Sequence, residues 1–135
     1  MKSTSELFFL TLIAIATGLM WIPYILARIR TRGIVSTMGN PVAGLPQDPA
    51  WAQRAHLAHS NAIENLAVFA PLVLTAALAG ISTPQTVFAA KLYFAARLAH
   101  YLVYSAGIPV VRTLLFFAGV AAMLIFALTL LGYLG

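Results

Sequence analysis

The sequence has no cysteine and few charged residues. Without cysteine, this chain of 135 residues can form no disulfide and supplies no thiol nucleophile, so any sulfur chemistry must use the sulfur of a ligand. Charged residues make up only 8% of the chain and hydrophobic residues 61%, with a mean hydropathy of +0.93. A soluble domain could not cover so much apolar surface with so few charges. The composition therefore predicts one integral membrane domain over residues 1–135.

Acidic residues are especially scarce, with three against eight lysines and arginines. The cations are spread along apolar segments instead of forming one basic patch, so no nucleic-acid binding is predicted. Most of them flank the first and third of three connections: Arg28, Arg30, Arg32, Arg54 and Arg112. The second connection, residues 80–85, has no charge. By the positive-inside rule, the first and third connections are cytoplasmic and both termini lie on the other side.

Four apolar segments have the length of membrane-spanning helices, at residues 7–27, 49–79, 84–104 and 110–133. Asp48 and Pro49 have the pattern of an N-cap and a first helical position, and Thr83 and Pro84 repeat it. Pro23 is expected to kink the first helix. Glycines and prolines between residues 33 and 49 predict a loop without regular structure. The sequence thus predicts an all-α, multi-pass four-helix bundle.

The first segment has a second interpretation, a cleaved signal peptide. Lys2 precedes the apolar run, and Ala14-Ile15-Ala16 is a small-residue pattern of the kind found at cleavage sites. The run nevertheless continues to Leu26 and three arginines follow it, which favours a retained span.

Polar side chains collect where the predicted helices meet the cytoplasmic boundary. Helical spacing places one stripe on the second helix: Arg54, Leu57, Asn61, Glu64 and Asn65. The third helix repeats the pattern with i, i+3, i+4, i+7 spacing: Arg97, His100, Tyr101 and Tyr104. Short connections bring both stripes towards Arg28, Arg32 and Arg112. Several arginines beside one glutamate predict a cationic pocket for a ligand with more than one carboxylate, since guanidinium groups bind carboxylates bidentately.

Simpler structural roles stay open for these residues. The arginines at the connections could serve only as topology signals, and the tyrosines could belong to an interfacial aromatic belt. Glu64 could form a buried ion pair with Arg97 that fixes helix packing. His56 and His59 turn away from the stripe and are expected to be interfacial residues or to pack against other helices. The histidines lack matching carboxylate or thiolate spacing, so no metal site is predicted.

Two motifs together resemble a known family. Asn61-x-x-Glu64-Asn65, followed by Arg97-x-x-His100-x-x-x-Tyr104 and then by Arg112, resembles the MAPEG family, the membrane-associated proteins of eicosanoid and glutathione metabolism. The family includes microsomal glutathione transferases, which this chain resembles as a bacterial-type member. Asn40-Pro41 also fits, and the similarity covers essentially the whole chain.

The resemblance implies a homotrimer in the bacterial inner membrane that binds glutathione between neighbouring subunits on the cytoplasmic side. It implies that Arg112 stabilises the glutathione thiolate, with Tyr104 as a second candidate catalytic residue. The implied glutathione-binding residues are Arg28, Arg32, Arg54, Asn61, Glu64, Asn65, Arg97 and His100, although loop lengths do not decide between Arg28, Arg30 and Arg32. Family members often have an arginine where Leu57 stands and a basic residue where Ser60 stands, so the carboxylate contacts are expected to differ here.

The chemistry of a thiol agrees with this implication. A nearby guanidinium favours the thiolate, which is the reactive nucleophile. Attack on a hydrophobic electrophile from the lipid would give a thioether, and attack on a lipid hydroperoxide would give reduction. The sequence therefore predicts a glutathione transferase, with peroxidase activity as a variant. The alternatives are a non-enzymatic membrane protein of the same fold that binds an apolar ligand, and a purely structural membrane protein.

Overall fold

The computed structural model describes residues 3–135, so Lys2 lies outside the described part of the chain. Within it the chain is helical, and we number the helices α1 (Ser5–Leu19), α2 (Trp21–Arg32), α3 (Ile34–Met38), α4 (Ala50–Leu78), α5 (Pro84–Ala106) and α6 (Pro109–Leu130). Helices α1 and α2 together form one rod, Ser5–Arg32, interrupted at Met20. The prediction of an all-α fold is confirmed for the described residues.

Three helices are long and apolar enough to cross a membrane: Ser5–Arg32 with 28 residues, α4 with 29 and α6 with 22. The chain is therefore an integral membrane protein. Helix α5 has 23 residues but is not among these three, since Lys91, Arg97 and His100 interrupt its apolar sequence. The prediction of four spans is confirmed for three helices and stays a prediction for α5.

Helix α5 packs against α1, α4 and α6. Its Tyr93 stacks on Phe69 of α4 with ring centroids 3.6 Å apart, and Phe126 of α6 meets Phe69 edge-on at 5.6 Å. Leu10 and Ile13 of α1 belong to the same buried cluster. Because protein surrounds α5 on three sides, its polar side chains can be covered by protein instead of lipid.

The break between α1 and α2 follows from Pro23. Its ring lacks an N–H and clashes with the carbonyl four residues earlier, that of Leu19, so the regular helix is interrupted at Met20. The Met20 carbonyl accepts a hydrogen bond from the Tyr101 hydroxyl at 2.8 Å. The helix is therefore interrupted close to the predicted kink, and a side chain of α5 hydrogen-bonds to the residue at the interruption.

The first connection departs from prediction in two places. Residues 34–38 form the short helix α3 where no regular element was expected, because the glycines and prolines of this loop fall outside that window. Asp48 does not cap α4. Pro49 occupies the N-cap position without a side-chain hydrogen bond, and the Asp48 carboxylate instead forms an ion pair with Arg28 at 2.8 Å.

The other helix ends follow the sequence signals. Thr83 caps α5 and forms a capping box with Thr86, and Pro84 is the first helical residue. Gly80 follows the end of α4 with φ +71°, and Gly107 ends α5 in the left-handed region with φ +83°. On α6, Gly119 and Ala122 are buried, as expected for small residues where helices pack closely.

Glu6 links α1 to the start of α5, which the sequence analysis missed. Its side chain is only 3% exposed. Its Oε1 accepts hydrogen bonds from the Ser82 hydroxyl at 2.8 Å and from the Thr86 hydroxyl at 2.6 Å. This carboxylate lies at the N-terminus of α5, where the helix dipole favours negative charge.

Replacing Glu6 therefore tests how this end of the bundle is held. Glu6→Leu removes the acceptor of the buried Thr86 hydroxyl and of the exposed Ser82 hydroxyl, and we expect a loss of about 1–3 kcal/mol in the free energy of unfolding. Glu6→Gln keeps an oxygen acceptor and is the matched control, with a smaller loss. The measurement is reversible denaturation of the detergent-purified protein followed by circular dichroism. Equal stability of the leucine and glutamine variants would contradict the assignment.

Candidate functional site

A polar cleft opens between α4, α5 and α6 at the end of the bundle that carries Arg28, Arg30, Arg32, Arg54 and Arg112, which we call the arginine-rich end. Its volume is about 180 Å³, and it is lined by Asn61, His100, Tyr104, Arg112, Thr113 and Phe116. Four of these six were predicted site residues, so the structure brings together one polar residue of α4, two of α5 and one of α6 that the sequence analysis singled out.

The turn between α5 and α6 positions two of these residues. Gly107 adopts a left-handed conformation and Pro109 begins the next helix, so Tyr104 and Arg112 lie on either side of a very short connection. The Arg112 guanidinium carbon stands 4.4 Å from the centre of the Tyr104 ring. This is a cation–π contact, which holds the guanidinium at the cleft without using its N–H donors.

Arg97 lies behind the cleft in the interior of the bundle. It is only 1% exposed, and its Nη2 donates to the Asn61 Oδ1 at 2.6 Å. Asn65 supports Asn61 by donating from its Nδ2 to the Asn61 backbone carbonyl at 2.8 Å. Gly119 of α6 makes room for the arginine, since a Cβ there would lie 3.3 Å from the Arg97 Cδ.

Several buried polar atoms on this side of α5 have no hydrogen-bond partner in the described chain. They are the Tyr93 hydroxyl, the Nε and Nη1 of Arg97 and the Nδ1 of His100. The one ion pair among residues 3–135 is Arg28 with Asp48, so Arg97 has no carboxylate beside it. A buried charge held only by a neutral amide is costly. Arg97 itself does not line the cleft, so its missing acceptors have to come from a group that reaches past the lining residues.

Other predicted site residues lie elsewhere at the arginine-rich end. Arg28 binds both carboxylate oxygens of Asp48, and Arg32 donates from its Nε to the Pro46 carbonyl at 2.6 Å. Arg54 donates from its Nε to the Ser105 carbonyl at 3.1 Å, across the end of α5. These three arginines therefore fasten connections within one chain and do not line the cleft.

Glu64 does not pair with Arg97, so that structural alternative is wrong for the single chain. Glu64 is exposed on α4, and the amide of Asn61 occupies the place beside Arg97. The predicted stripe was too wide, since Glu64 and Asn65 are about 100° apart around the helix, and Glu64 is exposed whereas Asn61 and Asn65 are half-buried.

The histidines of α4 have packing roles. The Tyr24 hydroxyl lies 2.7 Å from the Nδ1 of buried His59, and His56 stacks on the Tyr24 ring at 4.8 Å between centroids. The expectation that both pack against other helices is confirmed. Over residues 3–135 there is no group of three potential metal ligands.

The sequence analysis missed three residues of this site. Phe116 lines the cleft because it follows Arg112 on the same face of α6 at i+4, and Thr113 lines it from the neighbouring position in the first turn of α6. Gly119 lies behind the cleft, beside the Arg97 side chain. The same periodicity that was applied to α4 and α5 would have found Phe116, but nothing in the sequence indicates which side chain Gly119 accommodates.

Comparison with known proteins agrees with this geometry. The MAPEG family model matches residues 8–132, nearly the whole chain. The chain belongs to the MAPEG family. It is thus a membrane protein of the family associated with glutathione and eicosanoid metabolism. Searches of curated proteins and of solved structures found no significant match. In this MAPEG protein both motifs that suggested the family contribute to the cleft, through Asn61 of the first and His100 and Tyr104 of the second.

Asn61 is the residue whose replacement tests the buried charge most simply. Asn61→Leu removes the acceptor beside Arg97 and leaves the guanidinium uncompensated, so we expect a loss of about 3 kcal/mol in the free energy of unfolding. Asn61→Asp supplies a carboxylate beside Arg97, so this variant should be at least as stable as the unaltered MAPEG protein. The added negative charge also offsets the positive charge at the cleft. Denaturation in detergent measures both effects.

The matched control is Asn65→Leu, which removes a donor on the same helix without touching Arg97. It should cost about 1 kcal/mol. If Asn61→Leu were no less stable than Asn65→Leu, the amide of Asn61 would not be holding a buried charge.

Proposed function

We propose that this protein is a membrane-bound glutathione transferase in which the polar cleft binds glutathione and Arg112 stabilises its thiolate. The observation that carries the proposal is a cleft lined by an arginine and by no acidic residue. Arg112 stands at the cleft with no hydrogen-bond or ion-pair acceptor among residues 3–135, and behind it Arg97 keeps two buried donors unused. Membership of the MAPEG family favours glutathione as the ligand that fills it.

The cleft has a direct effect on a thiol. The ordinary pKa of a cysteine thiol is about 8.5, so at neutral pH only a few per cent is thiolate. A guanidinium at hydrogen-bonding distance stabilises the charged form, and burial away from water strengthens that attraction. The proton leaves through the open side of the cleft, and the thiolate then forms a bond to the electrophile. Tyr104, beside Arg112, can donate a hydrogen bond to the same sulfur.

The second substrate is proposed to be hydrophobic and to arrive from the lipid. With an electrophilic carbon, the thiolate forms a carbon–sulfur bond while the electrons of the attacked bond move to a leaving group or to a neighbouring atom that takes up a proton, and the product is a thioether. With a lipid hydroperoxide, the thiolate attacks the terminal peroxide oxygen and breaks the oxygen–oxygen bond, and the lipid leaves as an alkoxide that takes up a proton. A second glutathione then converts the sulfenic acid to a disulfide and releases water. The same activated thiolate accounts for transferase and peroxidase chemistry.

Size and exposure support a homotrimer with the ligand between subunits. A cleft of about 180 Å³ is smaller than the roughly 300–1,000 Å³ of typical ligand sites, so one chain encloses only part of a tripeptide. The exposed carboxylate of Glu64 on α4 would be costly against lipid and would find a partner in a neighbouring copy or in the ligand. In this arrangement Arg54 lies at the rim of the glutathione site. Arg28 and Arg32 would release Asp48 and the Pro46 carbonyl and bind a carboxylate of glutathione instead.

A second candidate function is non-enzymatic binding of an apolar ligand. A separate apolar cleft of about 220 Å³ lies beside the α1–α2 break, with walls that include Ala16, Met20, Pro23, Leu98 and Tyr101. Such a cleft could hold a lipid chain without any chemistry. This function requires neither an activated thiol nor Arg112.

Titration with glutathione separates the two functions. Addition of glutathione to the detergent-purified protein at neutral pH should produce a saturable thiolate absorbance, at least about tenfold above that of free glutathione. Arg112→Ala should abolish the signal, since the positive charge at the sulfur is gone. Lys91→Ala is the matched control, because Lys91 is an exposed cation on α5 two helical turns away from Arg97, and it should leave the signal unchanged.

Two results would contradict the proposal that this protein is a glutathione transferase. If the unaltered protein gave no saturable signal while remaining oligomeric, or if Arg112→Ala kept the full signal, the thiolate mechanism would be wrong. Non-enzymatic ligand binding would then be the better account.

A further inference from the structure

A second groove, separate from the polar cleft, lies between α2 and the first turn of α4 at the arginine-rich end. Its volume is about 510 Å³, within the range of roughly 300–1,000 Å³ for small-molecule sites. Its apolar floor is formed by Pro23, Leu26 and Ala27, and Arg30, Thr31 and Trp51 stand at its polar mouth. None of these residues lines the cleft proposed to bind glutathione.

Arg30 differs from the two arginines beside it. Arg28 pairs with Asp48 and Arg32 binds the Pro46 carbonyl, so both are used within the chain. Arg30 is exposed and has neither a hydrogen bond nor an ion pair within residues 3–135. The three arginines therefore have two different roles, and Arg30 is the one left to interact with something outside the chain.

The chain itself offers no anion for Arg30. Of the three acidic residues, Asp48 is already paired, and Glu6 is buried at the opposite end of the bundle. Glu64 lies 13 residues beyond Trp51 on α4, about 20 Å along the helix. The countercharge at the mouth of the groove must therefore come from outside.

The groove changes from apolar to cationic along α2. Pro23 and Arg30 are about 10 Å apart along the helix axis, and the apolar end belongs to the segment that crosses the membrane. Trp51 is 43% exposed at the mouth, the position that tryptophan favours at a membrane interface. Nearby, Val35 and Met38 of α3 are about 80% exposed, as expected for side chains that rest in the interface.

We propose that this groove binds an anionic phospholipid. Its phosphate pairs with Arg30 and accepts from the indole N–H of Trp51, and one acyl chain lies along Pro23, Leu26 and Ala27. The charge at the mouth and the apolar floor match the two parts of a single lipid molecule, whereas a free anion would leave the floor uncovered. The site selects for headgroup charge, since only an anionic lipid neutralises Arg30.

Fluorescence quenching tests the site directly. The chain has two tryptophans, so Trp21→Phe leaves Trp51 as the only tryptophan reporter. The full-length protein is reconstituted in vesicles of phosphatidylcholine with a small fraction of brominated phosphatidylglycerol, and in parallel with brominated phosphatidylcholine. Trp51 should show about a fivefold preference for the anionic lipid. Adding Arg30→Gln should remove the preference, and adding Lys91→Gln, which removes an exposed cation elsewhere, should keep it.

Two outcomes would overturn the proposal. Equal quenching by the two lipids, or a preference that survives Arg30→Gln, would show that Arg30 selects no headgroup. Absence of quenching by either lipid in a folded, oligomeric sample would show that another copy of the chain covers the groove.

Discussion

The buried charge of Arg97 is the constraint on which much of this structure depends. A guanidinium inside an apolar bundle is tolerated only where its donors find acceptors, and here a single amide oxygen of Asn61 serves one of them. Three features hold the Arg97 side chain in place. Helix α5 is central in the bundle, Gly119 leaves room for the arginine, and Asn65 supports Asn61. The donors that stay unused lie behind the cleft in which we propose that glutathione binds.

Charges at the two ends of α5 also fit its dipole. Glu6 accepts hydrogen bonds at the N-terminus, where negative charge is stabilised, and Arg54 donates to a carbonyl in the last turn, where positive charge is stabilised. These contacts bind α1 and α4 to opposite ends of the same helix. Helix α5, which carries Lys91, Arg97 and His100, is thus the one that holds the bundle together, and its polar residues are used for structure as well as for the proposed chemistry.

Much of this could be predicted from the sequence, because membranes and helix ends impose strong local rules. The length of the apolar segments predicted the helices. Thr83 and Gly107 predicted where α5 begins and ends, and helical spacing predicted the polar faces of α4 and α5. The contacts of Glu6 and Arg28 could not be predicted, since each depends on partners 20 or more residues away. Glu64 was misplaced for a geometrical reason, because residues three or four apart share a helix face only approximately.

The most direct test is the structure of the protein with glutathione bound in its native oligomer. The account predicts the sulfur at hydrogen-bonding distance from the Arg112 guanidinium, with an anionic oxygen of the ligand serving the unused donors of Arg97. A glutathione molecule bound elsewhere would contradict it. So would a structure in which a side chain from another copy, such as its Glu64, satisfies Arg97 and fills the cleft.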